Sequence, residues 1–110
     1  MGLLQFVRIY GNTRAKLRVL FILARHPRAR LDRRAFSLSP EGYLVDLAEG
    51  LEELVAQGVV EEHPYSEGSP LYSLAPEKRE PVLELAELDL RQAQVLTRLV
   101  LSPRVTLAPA

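Results

Sequence analysis

Ser39-Pro40-Glu41-Gly42-Tyr43-Leu44-Val45-Asp46-Leu47-Ala48-Glu49-Gly50-Leu51-Glu52-Glu53-Leu54-Val55-Ala56-Gln57-Gly58-Val59-Val60 decides the fold of this chain. Ser39 suits a helix N-cap, where its hydroxyl accepts an otherwise unpaired backbone N–H. Pro40 suits the first helical position, and Glu41 complements the positive end of the helix dipole. Leu44, Leu47, Ala48, Leu51, Leu54 and Val55 recur at helical spacing and mark a core-facing stripe. Gly58 supplies the left-handed residue that ends many helices, and Val59-Val60 begins a strand. The polar face of this helix carries Asp46, Glu49, Glu52 and Glu53, with no Lys or Arg.

Downstream, the stretch Pro64-Tyr65-Ser66-Glu67-Gly68-Ser69 is dense in turn residues. The return strand is Pro70-Leu71-Tyr72-Ser73-Leu74, with Tyr72 and Leu74 alternating toward the core. Upstream, Asp32 caps a short helix from Arg33 to about Ser37, and Arg28-Ala29-Arg30-Leu31 is a loop or a very short strand. His26-Pro27 ends an earlier helix that starts at Asn12 or Thr13. Leu17, Leu20, Phe21 and Ala24 line one face of that helix, and Val19, Ile22 and Leu23 widen it, so it is the central core helix. Residues 3–10 fit a helix or a strand, the helix being favoured by Leu3, Phe6, Val7 and Tyr10. After Ala75-Pro76, one last helix is expected to reach Leu101, spanning roughly 30–38 Å. Leu85, Leu88, Val95 and Leu99 form one stripe on it, and Leu83, Ala86, Leu90, Ala93 and Val100 a second. Two stripes exceed what one intramolecular contact needs, which predicts a homodimer through the first set. Residues 103–110 read as a tail.

At 110 residues with an apolar share of 47%, the chain suits one compact domain. It has no cysteine, so no disulfide framework or thiolate metal site is expected. No stretch is apolar for about 18 residues and no signal-peptide pattern opens the chain, so the expectation is a cytoplasmic protein without membrane partners. The zero net charge conceals a division: residues 1–40 hold nine Lys or Arg against Asp32 alone, whereas residues 41–110 hold five against thirteen acids. That asymmetry fits either a polyanion-binding face or ion pairs between interleaved halves of the fold.

His26 and His63 fall at element boundaries, and no third ligand stands at metal-site spacing. There is no Gly-x-Ser-x-Gly elbow and no Gly-rich phosphate loop. Neither an enzyme nor a bound cofactor is expected.

The order helix, short helix, helix, strand, wing, strand, long helix resembles the winged helix-turn-helix transcriptional regulators of the ArsR-like and PadR-like kind. The resemblance rests on Gly11-Asn12-Thr13-Arg14-Ala15-Lys16-Leu17, Leu38-Ser39-Pro40, Leu51 through Val60, and Leu71-Tyr72-Ser73-Leu74. It covers about residues 11–76; the C-terminal helix matches only in kind. It implies a mainly α fold with a small β-wing: a winged-helix domain over 1–76 and a C-terminal dimerisation helix over 77–102. It also implies double-stranded DNA as partner, with the third helix of each protomer in a major groove. In that arrangement positions 42, 43, 46, 49 and 50 face bases, yet here they are Gly, Tyr, Asp, Glu and Gly. The wing contains Glu67 and no basic residue, and the segment 31–40 is shorter than the family's. Phosphate contacts therefore fall to Arg14, Lys16, Arg28, Arg30, Arg33 and Arg34 beside the groove, with Tyr43 available to bases. The alternative is a protein-interaction module in which the acidic face of helix 39–57 docks a partner.

Overall fold

The computed structural model describes residues 2–38, 47–65 and 68–101. They form six α-helices and a two-stranded antiparallel sheet in the order α1 (Leu3–Tyr10), α2 (Arg14–Arg25), α3 (Arg33–Leu38), α4 (Ala48–Ala56), β1 (Val60–His63), β2 (Leu71–Leu74), α5 (Arg79–Ala86) and α6 (Leu90–Leu101). A single 3-10 turn, Pro76–Lys78, leads into α5. The N-terminal segment is thus a helix, as its Leu3–Tyr10 spacing favours, and Phe6 and Val7 are its buried residues.

The element ends follow local chemistry. Thr13 caps α2, its Oγ1 accepting the Lys16 N–H at 3.2 Å. Asp32 caps α3, its Oδ1 accepting the Ala35 N–H at 2.8 Å. Helix α4 ends in a six-residue closure: the Gly58 N–H reaches the Val55 carbonyl at 3.1 Å and the Val59 N–H the Leu54 carbonyl at 3.0 Å. That pattern needs a left-handed residue between them, and Gly58 supplies it with φ of 76°. The chain then leaves directly into β1, so the cap sets the angle between α4 and the sheet.

In the sheet, Val60 pairs with Leu74, Glu61 with Ser73, Glu62 with Tyr72 and His63 with Leu71. Tyr72 also pairs on its other side with Leu31, through hydrogen bonds of 2.8 and 2.7 Å. The loop after α2 therefore contributes one residue to the sheet. Tyr72 and Leu74 turn inward and are buried, as the period-two pattern requires.

The core gathers round α2, against which α5 and α4 pack most extensively. Leu17, Val19, Leu20, Ile22, Leu23 and Ala24 are all buried, joined by Phe36, Leu51, Leu54 and Val82 among others. Each fully buried aliphatic side chain of this kind contributes roughly 1.5–3 kcal/mol.

Two expectations fail here. The predicted C-terminal helix is not one rod: α5 closes with Glu87 and Leu88 N–H groups bonding back three residues, and α6 starts afresh at Leu90. The cause is a reciprocal cap. Asp89 Oδ1 accepts the Gln92 N–H at 2.7 Å, and Gln92 Oε1 accepts the Asp89 N–H at 3.0 Å. An Asp-x-x-Gln capping box satisfies two donors that an uninterrupted helix would bond through its backbone, so the break costs little. The two apolar stripes consequently belong to two helices. The second failure is Gly50, expected to face bases. It is buried, and a Cβ placed on it would lie 2.9 Å from the Ala15 carbonyl carbon and Cβ, and 3.0 Å from the Lys16 nitrogen. Gly50 is where α4 rests on α2, backbone to backbone. The expected start of this helix at Ser39 and Pro40 lies outside the described residues.

Gly50→Ala tests this close approach. An exposed helical Gly→Ala gains up to about 1 kcal/mol, but here the added methyl meets backbone and should instead cost about 1–3 kcal/mol. Urea unfolding decides it, a more stable variant being incompatible with helices that touch at this point.

Candidate functional site

Of the seven side chains expected at DNA, five are exposed on the described surface. Arg14 opens α2, Arg28 and Arg30 lie in the loop after it, and Arg33 and Arg34 form the first turn of α3. Tyr43 falls outside the described residues.

Lys16 is not a surface cation. It is 2% exposed, its Nζ donating to Asn12 Oδ1 at 2.8 Å and standing 3.7 Å from Glu53 Oε2. Its position follows from the packing of α4 on α2: the residue beside Gly50 is closed over by α4, and only the amine finds polar partners. A buried ammonium is tolerated because it is both hydrogen-bonded and paired. Phosphates do not reach it.

Arg33 is drawn toward the fold from the outside. Its Nε donates to the Tyr72 hydroxyl at 3.2 Å and its Nη2 to Glu52 Oε1 at 3.2 Å, with the guanidinium 5.9 Å from the Tyr72 ring centroid. These partners raise its pKa, the Tyr72 hydrogen bond first and the Tyr72 charge interaction next; desolvation opposes them, and Glu52 adds to them. The side chain is 44% exposed and Glu52 more so, so the ion pair itself adds little stability. It does partly commit one cation that the phosphate reading needs.

Helix α4 presents Glu49 and Glu52 to solvent, with Glu53 half-covered. The helix packs on β1, whose Glu61 and Glu62 are both exposed although they alternate to opposite faces of the strand. The outer face of α4 is acidic.

The expected dimer stripe divides. Leu85 is 2% exposed and belongs to the core of its own chain, because α5 lies against α2, so it is not available to a second chain. Leu88 is half-buried against the same core. Val95 and Leu99 remain 49% and 54% exposed. Together with Leu88 and Leu96 on one wall and Leu3 and Leu4 of α1 on the other, they line an apolar groove of about 430 Å³. The part played by α1 was not anticipated. The signal was present in Leu3-Leu4, two adjacent leucines of which a helix can bury only part.

A second groove, about 570 Å³, opens between α2 and α6. Arg18, Phe21 and Arg25 form its α2 wall, and Leu90, Thr97 and Arg98 contribute from α6. Arg18, Arg25 and Arg98 were not among the expected site residues. The spacing of Arg18, Phe21 and Arg25 at three, four and seven residues puts all three on one helix face, which is the signal that could have found it.

His26 follows the last residue of α2, and His63 ends β1, where its Nε2 shares a 2.6 Å hydrogen bond with Ser73 Oγ. Among the described residues no cluster of three His, Asp or Glu could hold a metal ion, and no helix is long and apolar enough to cross a membrane. Comparison with protein-family models, with characterised proteins and with solved structures finds no match for this chain.

The two readings of Lys16 separate by stability. Lys16→Ala empties a buried stem and leaves Asn12 without its donor, and should cost about 1–3 kcal/mol, whereas Arg14→Ala on the surface should stay within about 0.5 kcal/mol. Equal chemical denaturation curves for the two variants would return Lys16 to the surface.

Proposed function

We propose that this chain is a winged helix-turn-helix protein that binds double-stranded DNA as a homodimer and thereby regulates transcription. The observation that carries the fold is the path α2, Leu31, α3, α4, β1, turn, β2, with Leu31 paired to Tyr72 beside β1. This path brackets α3 and α4 between strands of one small sheet, as the helix-turn-helix pair and wing require. The helix 39–57 would enter the major groove through its first turns, residues outside those described. Arg14, Arg28, Arg30 and Arg34 would take phosphates on either side. The grooved face of α6, with Leu88, Val95 and Leu99, would meet its copy in a second protomer, α1 adding Leu3 and Leu4. The reading includes no catalysis and implies a cytoplasmic protein.

A second reading has its own support. Glu49 and Glu52 point outward from α4, so the surface of that helix nearest the groove would repel phosphates. On that reading the acidic face of α4 docks a basic protein partner instead.

Salt-dependent binding to mixed-sequence duplex DNA separates the two. Regulator function predicts detectable affinity at low salt that falls as a power of salt concentration. Arg28→Glu with Arg34→Glu should then weaken binding for every sequence and flatten the slope by about one for each phosphate no longer neutralised. Absence of binding at low salt would eliminate the DNA reading. Glu49→Lys with Glu52→Lys is expected to raise DNA affinity if α4 approaches the duplex; an unaltered affinity would move the DNA surface elsewhere.

The dimer is tested independently. Val95→Glu with Leu99→Glu alters exposed positions only and should give a folded monomer in sedimentation. A dimer that survives both charges rules out α6 as the interface.

A further inference from the structure

The groove between α2 and α6 is walled by cations over an apolar floor. Arg18 and Arg25 stand two turns apart on one face of α2, about 10 Å along its axis, with Phe21 between them. Arg98 faces them from α6, and Leu90, 76% exposed overall, lies at the start of the same wall. Among the described residues no Asp or Glu lines the groove. Arg18 and Arg98 bring two guanidinium groups to opposite walls of one concavity, and the guanidinium fork matches a carboxylate in two-point geometry. The volume of about 570 Å³ falls in the range of small-molecule sites.

The groove lies on the side of α2 away from α4: Lys16, which abuts α4, and Arg25 are nine residues apart, and at about 100° per residue they point to opposite sides of that helix. Arg14, assigned above to phosphates, stands four residues before Arg18 on the groove side, so a phosphate is the competing anion for this face. The groove is distinct from the apolar one. Helix α6 turns Thr97 and Arg98 to one groove and Val95 and Leu99 to the other.

We infer that this groove binds a small amphipathic carboxylate. The carboxylate is held by Arg18 and Arg98, and a flat apolar body rests on Phe21 and Leu90. Because α6 also carries the groove assigned above to a second protomer, an occupant here contacts the helix that would form the dimer.

The test titrates the full chain with 2-naphthoate and, separately, with uncharged 2-naphthamide, following amide resonances by NMR. Saturable binding of one naphthoate per chain is expected, with shifts centred on Phe21 and Thr97. The amide should bind about tenfold more weakly or worse, the value of one charge-assisted hydrogen bond. Arg18→Gln with Arg98→Gln should reduce naphthoate affinity at least about tenfold and leave the amide unchanged. Should that pair fail to fold, Arg98→Gln alone, on the exposed side of α6, makes the same comparison. Equal affinity for acid and amide, or an unaltered affinity in the variants, would overturn the proposal and leave a merely apolar cleft. Duplex DNA moving the same resonances while naphthoate does not would overturn it in favour of a phosphate surface. Lack of saturation at millimolar naphthoate would also end it.

Discussion

Helices α2 and α4 touch through their backbones at Gly50, and much of the remaining architecture is a consequence. With no side chain at Gly50, α4 can come within van der Waals reach of Ala15 and Lys16. The Lys16 stem is then covered, and its amine survives burial only because Asn12 and Glu53 meet it. These neighbours fix the rotation of α4 about its own axis. Leu51 and Leu54 must face the core, which obliges Glu49 and Glu52 to face out. The acidic surface is therefore a result of packing as well as of composition: α4 cannot turn its charges aside without withdrawing its leucines.

Tyr72 does for the sheet what Gly50 does for the helices. It is paired with Glu62 in β1 and with Leu31 in the loop after α2, and its hydroxyl accepts from Arg33 of α3. One buried aromatic residue thus joins three separate parts of the chain. Its ring supplies apolar burial and its hydroxyl a polar acceptor for Arg33, a combination that phenylalanine lacks. The arrangement orients Arg33 toward the sheet and Glu52, which narrows the set of cations open to phosphates to those on the loop and helix starts.

The division between α5 and α6 has a comparable reach. A single rod would have carried both apolar stripes past the domain. The Asp89–Gln92 box lets α5 lie down on α2 and α1, and gives α6 its own direction. What results is a helix with a different groove on each side, one apolar and shared with α1, the other basic and shared with α2.

Much of the fold was legible in the residues, because its signals are local. The Thr13 and Asp32 caps, the left-handed Gly58, the alternation of Tyr72 and Leu74 and the apolar girth of α2 each depend on a few neighbouring residues and on periods of 3.6 or 2. The Asp89–Gln92 break was equally local and was overridden by the stronger apolar periodicity on either side of it. The candidate sites were less legible, since a side chain's availability depends on what covers it. Charge and spacing marked Lys16 and Leu85 as surface residues, but α4 closes over the first and α2 over the second. Conversely, Arg98 lies far in sequence from Arg18 and Arg25, and only the position of α6 across from α2 makes one groove of the three. The sequence by itself determined the elements, their ends and the opposed charges of its two halves, because those follow from propensity, capping and composition. Tertiary structure alone decided which charges are spent inside the fold and which are gathered into grooves, because burial and proximity belong to helices packed together and not to any one stretch of chain.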